Sequence, residues 1–216
     1  VPVGTSGSIT TITIQAKDAN GNNRTSTSGA VVASVTGANT ATASVTDNLN
    51  GTYTATYTPT VAGTDNVAIT LGGTAIGGSP YSSVVAPASL HHFAVTNTSG
   101  GSIASQTAGT SFNIQVTAQD ASNNTVTSFT GTVDLTSTGT LSAGSGTTTT
   151  FTAGVLASHA VTISNTGTFT ITATRTSGGT QTGTSNSFAV AAGAANPGTS
   201  TASVPAGTAG SVTTIT

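Results

Sequence analysis

The sequence predicts an all-β protein made of antiparallel β-sandwiches in tandem, and three observations carry this prediction. Apolar residues alternate with threonine or serine along many short segments, which is the period of a strand with one buried face. Glycine-containing pairs separate these segments at the spacing of a sandwich, and no segment shows a helical period. A length of 216 residues suits two units of about 100 residues each.

The alternation is clearest in two segments, Thr52 to Thr58 (TYTATYT) and Thr168 to Thr174 (TFTITAT). In both we expect the aromatic and aliphatic residues to face the core and the threonines to face water, because successive side chains of a strand point to opposite faces. The other predicted strands are centred on Ile12/Ile14/Ala16, Val31/Ala33/Val35, Ala41/Ala43/Val45, Val67/Ile69/Leu71, Phe93/Val95, Phe112/Ile114/Val116/Ala118, Val133/Leu135, Val161/Ile163 and Phe188/Val190.

Turn signals lie between these segments. Asn50-Gly51 stands between two alternating segments and predicts a hairpin in which both residues adopt the positive φ of a type I′ turn. The remaining signals are Asn20-Gly21, Gly72-Gly73, Gly77-Gly78, Gly100-Gly101 and Gly178-Gly179.

The two ends of the chain repeat one another. Val204 to Thr216 (VPAGTAGSVTTIT) matches Val1 to Thr13 (VPVGTSGSITTIT) at ten positions, at an offset of 203 residues. An internal echo sets Ala16 to Asn22 (AKDANGN) against Ala118 to Asn124 (AQDASNN), at an offset of 102. Self-similarity at a fixed period is typical of repeat architectures, so we expect an alternating array of two related units.

This repeat divides the chain into residues 1–86, 87–192 and 193–216. The first unit is expected to lack its opening strand, for which Thr199 to Val204 is the counterpart in the tail. Exchange of that strand between copies is one explanation. Covalent continuation of a longer polypeptide is favoured, because the tail also repeats a second strand that the first unit already has. Short junctions near Val85 to Ala88 and Ala191 to Pro197 predict a fairly stiff rod.

Composition excludes several partners and chemistries. A positive patch for nucleic acid cannot be assembled from three basic residues. A hydrophobic content of 35% with a net charge of −2 argues for folding, and without cysteine there is neither a disulfide nor a thiolate metal site. No apolar run approaches 18 residues, so membrane insertion is not expected. The charged residues are Lys17, Arg24, Arg175, Asp18, Asp47, Asp65, Asp120 and Asp134.

Three ordered motifs make the first unit resemble a filamin-type immunoglobulin repeat: Gln15 to Asn22, Thr46 to Thr64 and Ile69 to Tyr81. Residues 87–192 resemble the bacterial immunoglobulin-like modules of adhesins and invasin-like proteins, through Ser89 to Phe93, Ala108 to Asn124 and Gly167 to Thr174. The resemblance implies tandem immunoglobulin-like antiparallel β-sandwiches used as spacers, stalks or binding modules. The near absence of charge departs from cytoplasmic filamins and indicates a prokaryotic cell surface or extracellular location.

No catalytic, cofactor-binding or metal site is predicted. His91 and His92 are adjacent on a predicted strand and should point to opposite faces, and His159 is expected beside the core. Asp18 and Asp120 are expected to make Asx-type turns, although a calcium site built on a single Asp at a junction and completed by carbonyls stays open. The five Asp lie on separate turns and no G-x-S-x-G elbow occurs, so we expect no enzyme.

Sequons make Asn23, Asn97 and Asn123 candidates for glycosylation. The expected function is a non-catalytic structural array that forms an extended extracellular stalk or filament, without a cofactor. Its expected partners are further copies of the repeat, by covalent continuation and by lateral self-association. The alternative is an adhesin or carbohydrate-binding module that binds a glycan or cell-surface ligand. Ice binding by outward threonines is a third interpretation, which sheet twist opposes.

Overall fold

The computed structural model describes residues 1–204, 206–207, 209 and 211–212, and this part of the chain contains strands and turns but no helix. Accordingly, no described segment has the helical length and apolarity needed to cross a bilayer. The strands are β1 (Gly4–Thr5), β2 (Thr10–Gln15), β3 (Val31–Gly37), β4 (Ala41–Thr42), β5 (Ser44–Asp47), β6 (Thr52–Tyr57), β7 (Gly63–Leu71), β8 (Thr74–Ala75), β9 (Tyr81–Ala86), β10 (His92–Asn97), β11 (Gln106–Thr107), β12 (Ser111–Gln119), β13 (Val133–Ser137), β14 (Leu141–Ala143), β15 (Gly146–Thr147), β16 (Val155–Ile163), β17 (Gly167–Phe169), β18 (Ile171–Arg175), β19 (Thr182–Thr184) and β20 (Phe188–Ala191).

Strands β1 to β9 form two sheets around one apolar core. One sheet has the order β1-β9-β7-β3-β4, with β8 paired to β7, and the other has the order β2-β6-β5. All pairings are antiparallel except β1 with β9. The alternation predicted for β6 is confirmed, because Tyr53, Ala55 and Tyr57 are 2%, 0% and 6% exposed.

Strands β10 to β20 surround a second, separate core. One sheet has the order β10-β12-β16-β14, and the facing layer is divided into β11-β20-β17 and β15-β13-β18-β19. A cluster of three rings fills one end of this core, where Phe129 lies edge-on to both Phe93 and Phe151 at centroid distances of 5.4 and 5.0 Å. The two halves therefore bury apolar side chains independently, each between sheets formed by its own strands.

Two strands predicted as continuous are each divided between sheets. The segment from Thr168 to Thr174 contributes β17, which pairs with β20, and β18, which pairs with β13. The segment around Ala43 likewise gives β4 paired to β3 and β5 paired to β6. Alternation reports only which side chains point inward, so it does not detect a strand that moves from one layer to the other.

The predicted hairpin at Asn50-Gly51 is present, but its turn differs. Strand β5 ends at Asp47 and β6 begins at Thr52, so the loop between them contains four residues, 48–51. Positive φ occurs at Leu49 (61°) and Gly51 (83°), and Asn50 is not among the positive-φ residues. The type I′ prediction was therefore wrong, and the side chain of Asn50 instead accepts hydrogen bonds from the Thr52 amide and hydroxyl.

The described residues of the tail, from 193 onwards, form no strand. Thr199 to Val204, predicted as the opening strand of a following repeat, pairs with no strand. The further strand predicted in residues 193–216 falls largely on residues outside the described part of the chain.

Candidate functional site at the junction of the two units

Two Asx loops follow equivalent strands, as the sequence predicted. Asp18 Oδ1 accepts hydrogen bonds from the amides of Asn20 and Asn22 at 2.9 and 2.8 Å. In the second unit, Asp120 Oδ1 accepts from the amides of Ser122 and Asn124, both at 2.9 Å. A short carboxylate thus closes each loop on its own backbone. The prediction of Asx turns is confirmed at both positions.

The loop of the second unit contacts the first unit through Asn124. The side-chain Nδ2 of Asn124 lies 2.9 Å from both Ser6 Oγ and the Thr60 carbonyl. Its Oδ1 accepts a hydrogen bond from the Ala62 amide at 2.9 Å. Ser6 Oγ also donates to the Thr60 carbonyl at 2.9 Å, which joins the two contacted segments of the first unit. One amide side chain therefore connects the two units.

Asp120 contributes a second connection, to the linker. Its Oδ2 accepts a hydrogen bond from the Ala88 amide at 2.9 Å and another from Asn124 Nδ2 at the same distance. Asp120 is fully buried, and all its partners are N–H donors. Calcium is bound by several oxygen ligands, whereas the Asp120 carboxylate is surrounded by N–H donors, so this site does not favour calcium. The geometry favours a structural role for Asp120.

The protonation of Asp120 follows from these contacts. Burial alone would raise its pKa, but hydrogen bonds from Asn124, Ala88 and Ser122 outweigh burial, and the pKa lies below its ordinary value. A carboxyl whose pKa is lowered by folding stabilises the fold above its unfolded pKa of about 3.9, and this contribution is lost as the pH falls through the folded value. The junction should therefore persist into mildly acidic solution.

The corresponding loop of the first unit makes no such contact within the described chain. Asn22 is exposed, and its Nδ2 donates only to Asp18 Oδ2, at 3.0 Å. The hydrogen bonds from Asn22 lower the pKa of Asp18. The first unit thus carries the same closed loop, and its Asn side chain reaches no other unit.

A buried polar cluster lies behind the contacted loop of the first unit. Asp65 is fully buried on β7 and accepts hydrogen bonds from the Asn39 amide at 2.8 Å and from Tyr57 Oη at 3.1 Å. Asn39 Oδ1 in turn accepts from the amides of Thr60 and Val61, both at 2.9 Å. Asn39 therefore links the buried carboxylate to the loop that Asn124 contacts.

The buried Tyr57 hydroxyl should make the first unit less stable at alkaline pH. Burial raises the pKa of Tyr57 above its ordinary value of about 10, and the hydrogen bond and negative charge of Asp65 act in the same direction. The folded state then binds the Tyr57 proton more tightly than the unfolded state. The contribution of Tyr57 to the free energy of unfolding is therefore complete below about pH 10 and is lost as the pH rises through the folded pKa. Urea unfolding between pH 8 and 11.5 should show this loss, and Tyr57→Phe should reduce it. Equal losses in both proteins would contradict the assignment.

The histidine prediction needs a correction. The Nδ1 atoms of His91 and His92 lie 3.2 Å apart and the rings meet edge to face at 5.4 Å, so the side chains do not point to opposite faces. The reason is that β10 begins at His92, which leaves His91 outside the regular pleat. His159 is half-buried on β16, where Nε2 lies 3.1 Å from the Gly144 carbonyl. Among the described residues, no three His, Cys, Asp or Glu side chains come together.

The candidate glycosylation residues differ in their surroundings. Asn23 and Asn123 are exposed, and Asn123 has a φ of 66°. Asn97 is half-buried and its side chain closes a turn, because Nδ2 donates to the Ser102 carbonyl and Oδ1 accepts from the Ser99 amide. Glycosylation stays a proposal for Asn23 and Asn123, and at Asn97 a glycan would compete with these hydrogen bonds.

Comparison with known proteins gives one family match, to the Filamin/ABP280 repeat over residues 2–82. Comparison with curated sequences gives no match. Among solved structures, the Lin-41 filamin domain is 27% identical over 38% of this chain and 80% of its own, with a TM-score of 0.33. The Escherichia coli adhesin FdeC is 26% identical over 93% of this chain and 64% of its own, with a TM-score of 0.48. The Yersinia pseudotuberculosis adhesin InvE is 20% identical over 88% and 56%, with a TM-score of 0.40. The chain thus spans less than two thirds of either adhesin structure.

The sheet topology and the family match together define an all-β chain of tandem immunoglobulin-like sandwiches. Residues 2–82 match the filamin repeat, and the resemblance predicted for the first unit from its three motifs is confirmed. The two Asx loops were predictable from the sequence, but their unequal surroundings were not. The hydrogen-bond partners of Asn124 distinguish the two loops, because Asn22 stands in the same sequence pattern and lacks such partners within the described chain.

Proposed function

We propose that this chain is a non-catalytic structural segment of an extended extracellular or cell-surface array. The observation that carries this proposal is the junction, in which Asn124 makes three hydrogen bonds to the first unit and Asp120 holds the linker through Ala88. Such contacts give neighbouring units a preferred orientation, which a stalk needs and a flexible tether lacks. Residues 1–86 and 87–192 act as its successive units.

The repeated sequence extends the junction beyond this pair. Asp18 and Asn22 occupy the positions of Asp120 and Asn124, and their loop is already closed in the same way. A preceding unit of the array can therefore dock on Asn22 as the first unit docks on Asn124. The exposed face of this loop is the partner surface for a further copy of the repeat.

The surface suits an extracellular structure. Only eight residues carry formal charge, so the surface is hydrated mainly through hydroxyl and amide groups. Screening by salt affects interactions between charges and leaves such a surface largely unchanged. Tolerance of variable ionic strength is useful outside the cell, and this consideration supports a cell-surface or extracellular location.

The stiffness of the junction can be tested by Asn124→Ala in the whole chain. Each lost hydrogen bond is worth about 1 kcal/mol, so three losses should free the two units to reorient. Small-angle scattering should show a broader distribution of maximum dimensions. The second unit should also lose stability, because the buried Asp120 carboxylate loses the Asn124 side-chain donor, whereas the unfolding midpoint of the first unit should change little. The matched control is Asn22→Ala, which alters the equivalent loop without touching the junction. Identical scattering from both variants and the parent would contradict a junction held by Asn124.

An adhesive role stays the alternative, carried by loops at the ends of the sandwiches. Binding of sugars by stacking needs exposed aromatic rings, and each of the nine Phe and Tyr side chains is buried or half-buried. This observation favours the structural role. Binding of the chain to a glycan array would favour the adhesive role over the structural role.

A further inference from the structure

The C-terminal ends of the two units share one backbone arrangement. A two-residue strand, β1 in the first unit and β11 in the second, pairs in parallel with the last strand of its unit, β9 or β20. The residue that follows the short strand is Ser6 in the first unit and Ala108 in the second. Its amide donates to the carbonyl of the final residue of the last strand, at 2.9 Å in the first unit and 2.8 Å in the second. Ser6 and Ala108 are therefore structural equivalents.

A three-residue loop beside this strand is equivalent as well. The loop is Thr60 to Ala62 in the first unit and Ser164 to Thr166 in the second. The carbonyl before each loop accepts a hydrogen bond at 2.8 Å from the glycine that lies two residues after the short strand. A glycine with a φ of 149° follows the first loop, and one with a φ of 148° follows the second. The two loops therefore present their backbone groups at matching positions.

Asn124 uses two backbone groups of this loop in the first unit. It accepts from the amide of the third loop residue and donates to the carbonyl of the first loop residue, both at 2.9 Å. In the second unit the same groups belong to Thr166 and Ser164, which are exposed. Within the described chain neither group has a hydrogen-bond partner. An Asn side chain of a following unit can therefore make the same two backbone hydrogen bonds there.

The third contact of Asn124 is the one that differs between the units. Ser6 is 2% exposed, and its Oγ donates to the Thr60 carbonyl and lies 2.9 Å from Asn124 Nδ2. Ala108 has no hydroxyl at this position. At the offset of 203, the counterpart of Ser6 in the tail is Ala209. Serine thus occupies one of the three equivalent positions in this chain, and alanine occupies two.

The repeat identifies the loop that fits the end of the second unit. The sequence after the second unit returns to that of the first, because Val204 to Thr216 repeats Val1 to Thr13. In a unit of the first type, the loop after β2 carries Asn22, which is exposed. This loop is already closed, since Asp18 Oδ1 accepts from the Asn22 amide at 2.8 Å. Asn22 of a unit of the first type is therefore the partner.

We infer that Ser164 and Thr166 form a docking site for an Asn22-type loop, and that this junction is weaker than the one held by Asn124 because Ala108 replaces Ser6. The inference rests on the proposed function, because it assigns the partner to the following unit of the array. Loss of one hydrogen bond between neutral groups lowers a docking equilibrium about fivefold. The residue at the Ser6 position then sets the strength of each junction, and the array bends first where this residue is alanine.

The contribution of the hydroxyl can be measured in the chain itself. Exchange of the Ala62 amide reports the docked fraction, because this amide donates to Asn124 Oδ1. Ser6→Ala should speed this exchange about fivefold. Ser8→Ala is the matched control, because Ser8 is exposed and should leave the rate unchanged. Equal rates in the parent and Ser6→Ala would overturn the role of the hydroxyl. A full effect of Ser6→Ala in the Asn124→Ala background would also overturn it, because the hydroxyl would then act within the first unit alone.

The second junction can be tested in two copies of the whole chain, with Ser203 of the leading copy joined to Val1 of the trailing copy as the repeat prescribes. Exchange of the Thr166 amide should be slower in the leading copy than in the trailing copy, by about fivefold or more. Asn22→Ala in the trailing copy should abolish this difference, and the same substitution in the leading copy is the matched control. Ala108→Ser in the leading copy should slow the Thr166 exchange by about a further fivefold.

Equal exchange of Thr166 in the two copies would overturn the docking site, and an unchanged rate in Ala108→Ser would overturn the predicted difference in strength. Both results are distinguishable from failure of the proposed function. The scattering of Asn124→Ala concerns the junction between residues 1–86 and 87–192, whereas exchange of Thr166 concerns the opposite end of the second unit. A stiff pair of units with an unprotected Thr166 would therefore contradict this inference alone.

Discussion

Replacing Gly51 with alanine is expected to destabilise the first unit strongly. Gly51 has a φ of 83°, and a Cβ there would lie 1.9 Å from the Arg24 carbonyl oxygen. The left-handed conformation alone costs an alanine about 1–2 kcal/mol. The backbone overlap adds to this, so we expect a total loss of about 3 kcal/mol or more, at the upper end of ordinary point substitutions. Urea unfolding of the parent and the variant measures it.

Gly21→Ala is the matched control for this substitution. Gly21 has the same φ of 83°, but no heavy atom lies within 4 Å of a Cβ placed there. The control should therefore lose only the conformational contribution of about 1–2 kcal/mol. A similar loss in both variants would show that the close approach of the Arg24 carbonyl to Gly51 adds nothing to the cost of the substitution.

The second large effect is expected for Asn39→Ala. Asn39 donates through its side chain to the fully buried Asp65 carboxylate at 3.1 and 3.2 Å and holds the loop at Thr60 and Val61. Hydrogen bonds to a charged group are each worth about 1.5–3 kcal/mol, and a buried charge left with fewer donors is costly. We expect a loss of about 3 kcal/mol in the free energy of unfolding of the first unit, measured by urea titration.

This substitution should also loosen the junction, because Asn124 binds the same loop through Thr60 and Ala62. Asn48→Ala is the control, since the exposed Asn48 side chain only bridges the hydroxyls of Thr52 and Thr54 on the protein surface. That change should cost less than about 1 kcal/mol. If Asn39→Ala cost no more than the control, the buried cluster would contribute little to the stability of the first unit.

Local patterns predicted what depends on neighbours in sequence. The burial of Tyr53 and Ile14 follows from alternation, and the Asx turns at Asp18 and Asp120 follow from a short carboxylate just after a strand. The turn at Gly51 was only half predicted. Its glycine was expected, but the residue with positive φ beside it is Leu49, because the loop has four residues instead of two.

The sheet that each strand joins could not be predicted from the same patterns. The segment around Thr170 alternates without interruption, yet it pairs first with β20 and then with β13. Strand β9 was missed, because two serines interrupt its apolar residues. A strand that exchanges partners keeps the same inward face, so alternation remains intact while the hydrogen-bonded neighbours change.

The sequence by itself determined that the chain is all β, that it repeats at offsets of 102 and 203, and that both Asx loops close on themselves. These properties depend on side-chain periodicity, self-similarity and bonds that span a few residues. The tertiary structure alone decided that Asn124 holds the junction and that Asn22 is exposed. Both depend on atoms brought together across long separations in sequence, such as Asn124 and Ser6, and the order of residues alone does not specify that proximity.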